Sequence, residues 1–300
     1  MDEIIKLSNL TKDYGGGRGI FDITLSVRKG ETFGFVGTNG SGKTTTIREI
    51  MGFLKPDGGA AEVLGMNAWT DSPEIKRSVG YIPGEIAFPD VKTGTAFLKI
   101  QAEFLGLTDM TYANYLIKKL QLDPSASLKR MSKGMKQKTA MVAALMGDKE
   151  ILILDEPTTG LDPLMRSAFM ELITEEKRKG RTIFMSSHLF EEIEDTCDRV
   201  ALIKDGKLLD IADMEKIRYH NIKTYKIEFN NAADYKEFCG GGFDTVRRQD
   251  GHNQATVEID DKNVNALFKA LKSLDVKFIS EKRYDLEQYF NKFYIKGEQK

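Results

Sequence analysis

The sequence predicts an α/β protein: a mixed-sheet core with an antiparallel β layer and a helical subdomain, followed by a small α+β domain. Three observations carry that expectation. Short apolar runs, each followed by turn residues and a longer helical pattern, recur through the first two thirds of the chain. Ile151, Leu152, Ile153 and Leu154 form a continuous apolar run that ends in two carboxylates, as in a strand buried on both faces whose C-terminal end opens onto a site. Beyond "VALIKDGKLLD" the texture changes to alternating strands and amphipathic helices.

Taken in order, "EIIKLSNLTKDY" and "GIFDITLSVRKGE" look like half-buried antiparallel strands and supply the β layer. "ETFGFVG" then predicts a buried strand and "KTTTIREIMGFL" the helix after it. From about 87 to 147 lies a helical subdomain, in which "TAFLKIQAEFLGL" and "TYANYLIKKLQL" carry apolar stripes at helical spacing. "ILILDEP" before "RSAFMELITEEKRKG", and "RTIFMSS" before "LFEEIEDTCD", resume the strand-then-helix alternation. The first domain is placed at 1–220 and the second at 221–300. In the latter, "TYKIEFN" alternates, "DYKEFC" is helical, a hairpin turns at Asp250-Gly251, and Leu267, Phe268, Leu271 and Leu274 form a core stripe. A further strand and helix complete a β-α-β-β-α-β order.

Bulk properties restrict the function. Forty-four basic against forty-five acidic side chains leave a net charge of -1, so no global positive field draws nucleic acid, and no nucleic-acid partner is expected. Cys197 and Cys239 match no metal-ligand spacing or disulfide framework, which points to a reducing compartment. The start "MDEIIKLSNL" has neither the basic segment nor the apolar stretch of a secretory signal, and no run of about 18 apolar residues occurs. Any membrane role is therefore expected through a partner.

"GTNGSGKT", Gly37 to Thr44, matches the phosphate-loop pattern G-x-x-x-x-G-K-[ST] between a predicted strand and a predicted helix. Glycines at 37, 40 and 42 let backbone N–H groups turn toward phosphate oxygens at a helix N-terminus. Lys43 is then placed to reach the β and γ phosphates, and Thr44 to bind Mg2+. Thr38, Asn39, Ser41 and Thr45 complete the candidate ATP-binding set. Asp155 and Glu156, at the end of "ILILDE", are candidates to hold Mg2+ through water and to polarise the attacking water. His188, directly after "TIFMSS", is a candidate γ-phosphate contact. Lys43, Glu156 and His188 are the candidate catalytic residues.

In their order these segments resemble the nucleotide-binding subunit of an ABC transporter, over roughly residues 4 to 215. The fold class implied is the P-loop NTPase of ABC type. The resemblance implies that Tyr14 stacks on adenine, that "TGLD" at 159–162 is a D-loop bringing Asp162 to the partner's ATP, and that His188 is the switch histidine. It also assigns "MSKGM", 131–135, to the signature segment, in which Ser132, Lys133 and Gly134 read the γ-phosphate held by a second copy. Lys133 and Met135 stand where the family carries glycine and glutamine. The five positive charges of "KRMSKGMKQK" either belong to that anion site or face solvent on the following helix.

A second departure is "VGYIPGE". Gly84 falls where the family's Q-loop glutamine belongs, leaving Glu85 or water to replace that ligand. With residue 84 on the Mg2+ and partner side, Gly84→Gln is expected to leave nucleotide affinity unchanged. The resemblance, strengthened by the "PGE" and "SKGMKQK" variants and the second domain, implies an ATP-hydrolysing subunit of a bacterial drug or antibiotic exporter. Its cofactors are ATP and Mg2+, its partners a second copy when ATP is bound and a separate transmembrane permease, and its location the cytoplasmic face of the cell membrane. The alternative is a soluble ABC-type ATPase acting on nucleic acid or ribosomes. Such relatives carry long coiled coils or two cassettes in one chain, and neither feature is present.

Overall fold

Ile5 and Leu7 in Glu3–Asp13 (β1), and Ile23, Leu25 and Val27 in Gly19–Arg28 (β2), are buried at alternate positions, so each strand has one face to bury, and the two pair antiparallel. This computed structural model describes residues 2–219, 221–282 and 284–297, with side chains up to Asn291. Thr32–Val36 (β3), buried throughout, leads through the phosphate loop into Lys43–Ile50 (α1). Gly58–Val63 (β4) and Met66–Asn67 (β5) complete the outer layer, whose order is β2-β1-β4-β5. Sequence reading missed these two because "GGAAEV" has little intrinsic strand preference; pairing with β1 supplies it.

Ser72–Ser78 (α2) and Val79–Ile82 (β6) return the chain to the core. The helical subdomain follows as Gly94–Phe104 (α3), Thr111–Lys119 (α4) and Lys133–Leu145 (α5). Thr93 caps α3 and Ser132 caps α5, each by accepting a backbone N–H. Ile151–Asp155 (β7), Pro163–Arg178 (α6), Thr182–Ser187 (β8), Phe190–Thr196 (α7), Arg199–Lys204 (β9) and Lys207–Asp213 (β10) complete the unit. Among the described residues the central sheet has the order β10-β9-β3-β8-β7-β6, parallel except for β10. Its β3, β7 and β8 are completely buried, as continuous apolar runs require.

A second compact unit begins at Met214, earlier than the expected boundary; residue 220 itself lies outside the described residues. It runs Met214–Arg218 (α8), Ile222–Phe229 (β11), Ala232–Gly240 (α9), Asp244–Gln249 (β12), Gln254–Asp260 (β13), Val264–Leu271 (α10), Val276–Lys282 (β14) and Leu286–Gly297 (α11). The antiparallel order β12-β13-β11-β14 with α9 and α10 is the β-α-β-β-α-β arrangement. Tyr225, Ile227, Phe229, Val257, Leu267 and Leu271 are buried in its core. Phe268 departs from the expected stripe: it is half-exposed and meets Tyr225 only edge-on.

Candidate active site

The strand order explains why segments far apart in sequence meet. β3, β8 and β7 are parallel neighbours, so their C-terminal ends lie side by side. The phosphate loop leaves β3, His188 follows β8, and Asp155 ends β7. Ligands in open α/β sheets bind at this edge.

The loop is shaped by its glycines. Gly40 and Gly42 have φ of 82° and 110°, a region where side chains are strained. A Cβ on Gly37 would lie 2.4 Å from the Ile203 carbonyl oxygen, and one on Gly42 2.5 Å from Ile20 Cγ2. No side chain caps α1, so its first N–H groups remain free for an anion. Lys43 is buried, and its Nζ donates to the carbonyls of Gly37 at 2.7 Å and Thr38 at 3.2 Å. It also pairs with Glu156 Oε1 at 3.1 Å. His188 Nδ1 hydrogen-bonds the other carboxylate oxygen, so Glu156 bridges the lysine and the imidazole.

Asp155 is held differently. Ser186 Oγ donates to its Oδ1 at 2.7 Å, while Glu156 N–H donates to the same hydroxyl at 3.0 Å. Asp155 Oδ2 is buried and has no hydrogen-bond partner in the protein. A buried carboxylate oxygen without a donor is costly, and a water carried by a divalent cation would satisfy it. The donor set therefore fits Mg2+, with the Thr44 hydroxyl and, through water, Asp155 as the groups that would hold it.

A cleft of about 440 Å3 adjoins this edge. It is lined by Tyr14, Asn39, Gly40, Gly42, Lys43, Thr44, Thr45 and Glu156, all candidate site residues from sequence, and also by Arg18 and Asp205, which were not candidates. Tyr14 is half-exposed there, above a turn built on Gly15, Gly16 and Gly17. Gly37, Thr38 and Ser41 belong to the loop without lining the cleft; Ser41 is buried.

Ser132, Lys133, Gly134 and Asp162 do not line it either. Ser132 Oγ accepts the Met135 N–H, and Asp162 Oδ1 accepts the Met165 N–H at the start of α6. Lys133 and Gly134 instead meet Gly160: a Cβ on Gly134 would be 2.8 Å from the Gly160 carbonyl oxygen, and one on Gly160 3.0 Å from Lys133 Cγ. The segments 131–135 and 159–162 of one chain are thus in contact.

Gly84 packs closely against Asp155. A Cβ there would sit 2.8 Å from Asp155 Oδ2, closer than real contacts allow. Because Asp155 is buried and tied to Ser186, a side chain at 84 would crowd the carboxylate, a cost that the expected tolerance of Gly84→Gln left out.

Residues 20–159 match the family model described as ABC transporter. The bacitracin transport ATP-binding protein BcrA of Bacillus licheniformis is 32% identical over 300 residues, covering 97% of either chain. The linearmycin resistance ATP-binding protein LnrL of Bacillus subtilis is 34% identical over 69% of this chain and 68% of its own. A solved ATP-binding subunit of an ABC transporter superposes with a TM-score of 0.65 at 31% identity, covering 72% of this chain and 92% of that one. Likeness at that identity along nearly the whole length, on a fold that gathers the phosphate loop and the strand-end acids at one edge, establishes that the chain belongs to the ATP-binding subunits of ABC transporters, which are ATPases.

Proposed function

We propose that this subunit powers export of an antibiotic or similar drug through a separate membrane protein, by closing on a second copy around ATP and reopening after hydrolysis. The observation that carries the reading is Glu156 bridged between Lys43 and His188 at the ends of adjacent parallel strands. Tyr14 stacks on adenine, and Gly37 to Thr45 wrap the phosphates. Lys43 turns from the Gly37 and Thr38 carbonyls to the β and γ phosphates. Mg2+, when bound, draws charge from the transferring phosphoryl group. Glu156 takes the proton of the attacking water, and His188 holds that carboxylate while reaching the γ-phosphate. Ser132, Lys133, Gly134 and Asp162 meet the ATP of the second copy.

Export is favoured by relatives named for bacitracin transport and linearmycin resistance. Attachment to a membrane partner, at the cytoplasmic face, is supported by a cleft of about 530 Å3 lined by Phe53, Tyr81, Ile86, Phe88, Phe97 and Leu105, which suits an amphipathic segment of that partner. No helix among the described residues is long and apolar enough to cross a membrane. The compact unit from Met214 onward serves as an accessory domain. A sensitive bacterium expressing the chain with the membrane protein that copurifies with it should survive higher concentrations of a peptide antibiotic, and Lys43→Ala should abolish that protection. Protection that persists in Lys43→Ala, or none in the wild type, would overturn ATP-driven export.

A further inference from the structure

We propose that Glu192 is a positioning residue: from α7 its carboxylate locks the D-loop side of β7 to the end of β8, and so sets His188 against Glu156. The inference rests on the catalytic roles proposed for those two residues. Glu192 is only 3% exposed. Its Oε1 accepts the Thr158 hydroxyl at 2.5 Å, and its Oε2 accepts the Ser187 hydroxyl at 2.8 Å. Thr158 is two residues beyond Glu156, and Ser187 immediately precedes His188. One carboxylate therefore grips both segments whose side chains must meet.

The grip is braced from several sides. Ser187 Oγ also accepts the Leu189 N–H at 2.9 Å, so its own proton is directed to Glu192. Arg166 Nε, from α6 just beyond the D-loop, lies 3.6 Å from Glu192 Oε1. Within α7, Thr196 Oγ1 donates to the Glu192 carbonyl at 2.7 Å. Burial raises the carboxyl pKa, opposed by the Thr158 and Ser187 hydroxyls and by Arg166. An apolar side chain would fill this place at less desolvation cost, so the hydrogen-bonding geometry is what the carboxylate contributes. Glu192 does not line the nucleotide cleft, and its effect on turnover must pass through the groups it holds. Because Gly160 rests on Lys133 and Gly134, the same clamp ties the catalytic residues to the D-loop that touches the signature segment.

The test is ATP turnover of the full-length chain carrying Glu192→Leu or Glu192→Gln. Leucine removes both acceptors, and kcat should fall by about tenfold or more while KM for ATP stays within about threefold. Glutamine keeps one acceptor and offers a donor that a threonine or serine hydroxyl can accept, so it should retain kcat within about threefold. In a His188→Ala background, Glu192→Leu should cost less than about threefold further, because the group it positions is gone. If the leucine variant does not fold, Ser187→Ala, which cuts the arm to β8 alone, should give the same fall in kcat at unchanged KM.

A kcat within about twofold of wild type in the folded leucine variant, a proportional rise in KM, or the full loss repeated in His188→Ala would each overturn the inference. The two readings separate cleanly. Wild-type turnover in Glu156→Gln or His188→Ala would remove the catalytic reading itself; loss in both with none in Glu192→Leu would remove only the role of Glu192.

Discussion

Glu156 has a φ of 48°, a left-handed conformation that costs an ordinary residue about 1 kcal/mol or more, and its backbone N–H, held by Ser186, keeps it there. The adjacent carboxylates accordingly meet different partners, Asp155 the Ser186 hydroxyl and Glu156 the Lys43 ammonium and the His188 ring. Lys43→Ala, which removes the cation paired with Glu156, should weaken ATP binding and abolish turnover, as measured by nucleotide titration and phosphate release. Gly84→Ala should lower turnover by about tenfold through crowding of Asp155; unchanged activity would mean that the loop yields instead. Glu49, on α1, is a residue of another kind. Burial pushes its carboxyl up to about 7 with Lys12 opposing, and neither of its oxygens has a hydrogen-bond partner. A folded pKa above the unfolded value means that ionisation destabilises as pH rises from about 4.5 to about 7, by at most about 3 kcal/mol. The melting temperature of Glu49→Gln should therefore gain on wild type between pH 5 and pH 8. A difference that does not vary with pH would contradict this account.

At the scale of elements, Asp162 in the proposed D-loop is the cap of α6 and, in the proposed reading, also a contact to the second copy's ATP. Asp162→Ala should cost about 1 kcal/mol of stability through the lost cap. Asp162→Asn should keep the cap, and thermal melts of the two variants distinguish the roles: equal destabilisation would show that the cap carries no weight. The buried core strands and the phosphate loop were legible because their information is local, whereas β4 and β5, at the outer layer, were not. Ile151 to Leu154 can hardly avoid being a buried strand, and Gly37 to Thr44 encode a loop by spacing alone. Ser186, Thr158, Ser187 and Glu192 carried no such signal. They are common residue types at no diagnostic spacing, and become a network only because β7, β8 and α7 are neighbours. Gly84 was legible as a departure from the family, but its contact with Asp155 was not, since β6 and β7 come together across the whole helical subdomain.

For the whole molecule, the proposed cross-copy contact has a geometric basis: Ser132, Lys133 and Gly134 do not line the cleft that holds Lys43 and Glu156, so any contact they make with ATP is to that of a second copy. A ligand that binds across two copies must by linkage favour their association. Glu156→Gln keeps the size of the side chain but cannot take the proton of water, so hydrolysis should slow by roughly 10² to 10⁴ while ATP still binds. Ser132→Arg crowds the phosphate contact as well as removing the α5 cap, so its folding is checked by circular dichroism. The most direct measurement is light scattering of purified Glu156→Gln over a concentration series with Mg-ATP or ADP. Dimer with ATP, monomer with ADP, and monomer again when folded Ser132→Arg is added to the variant is the expected result; an assembly state indifferent to both nucleotide and Ser132→Arg would contradict ATP-driven dimerisation.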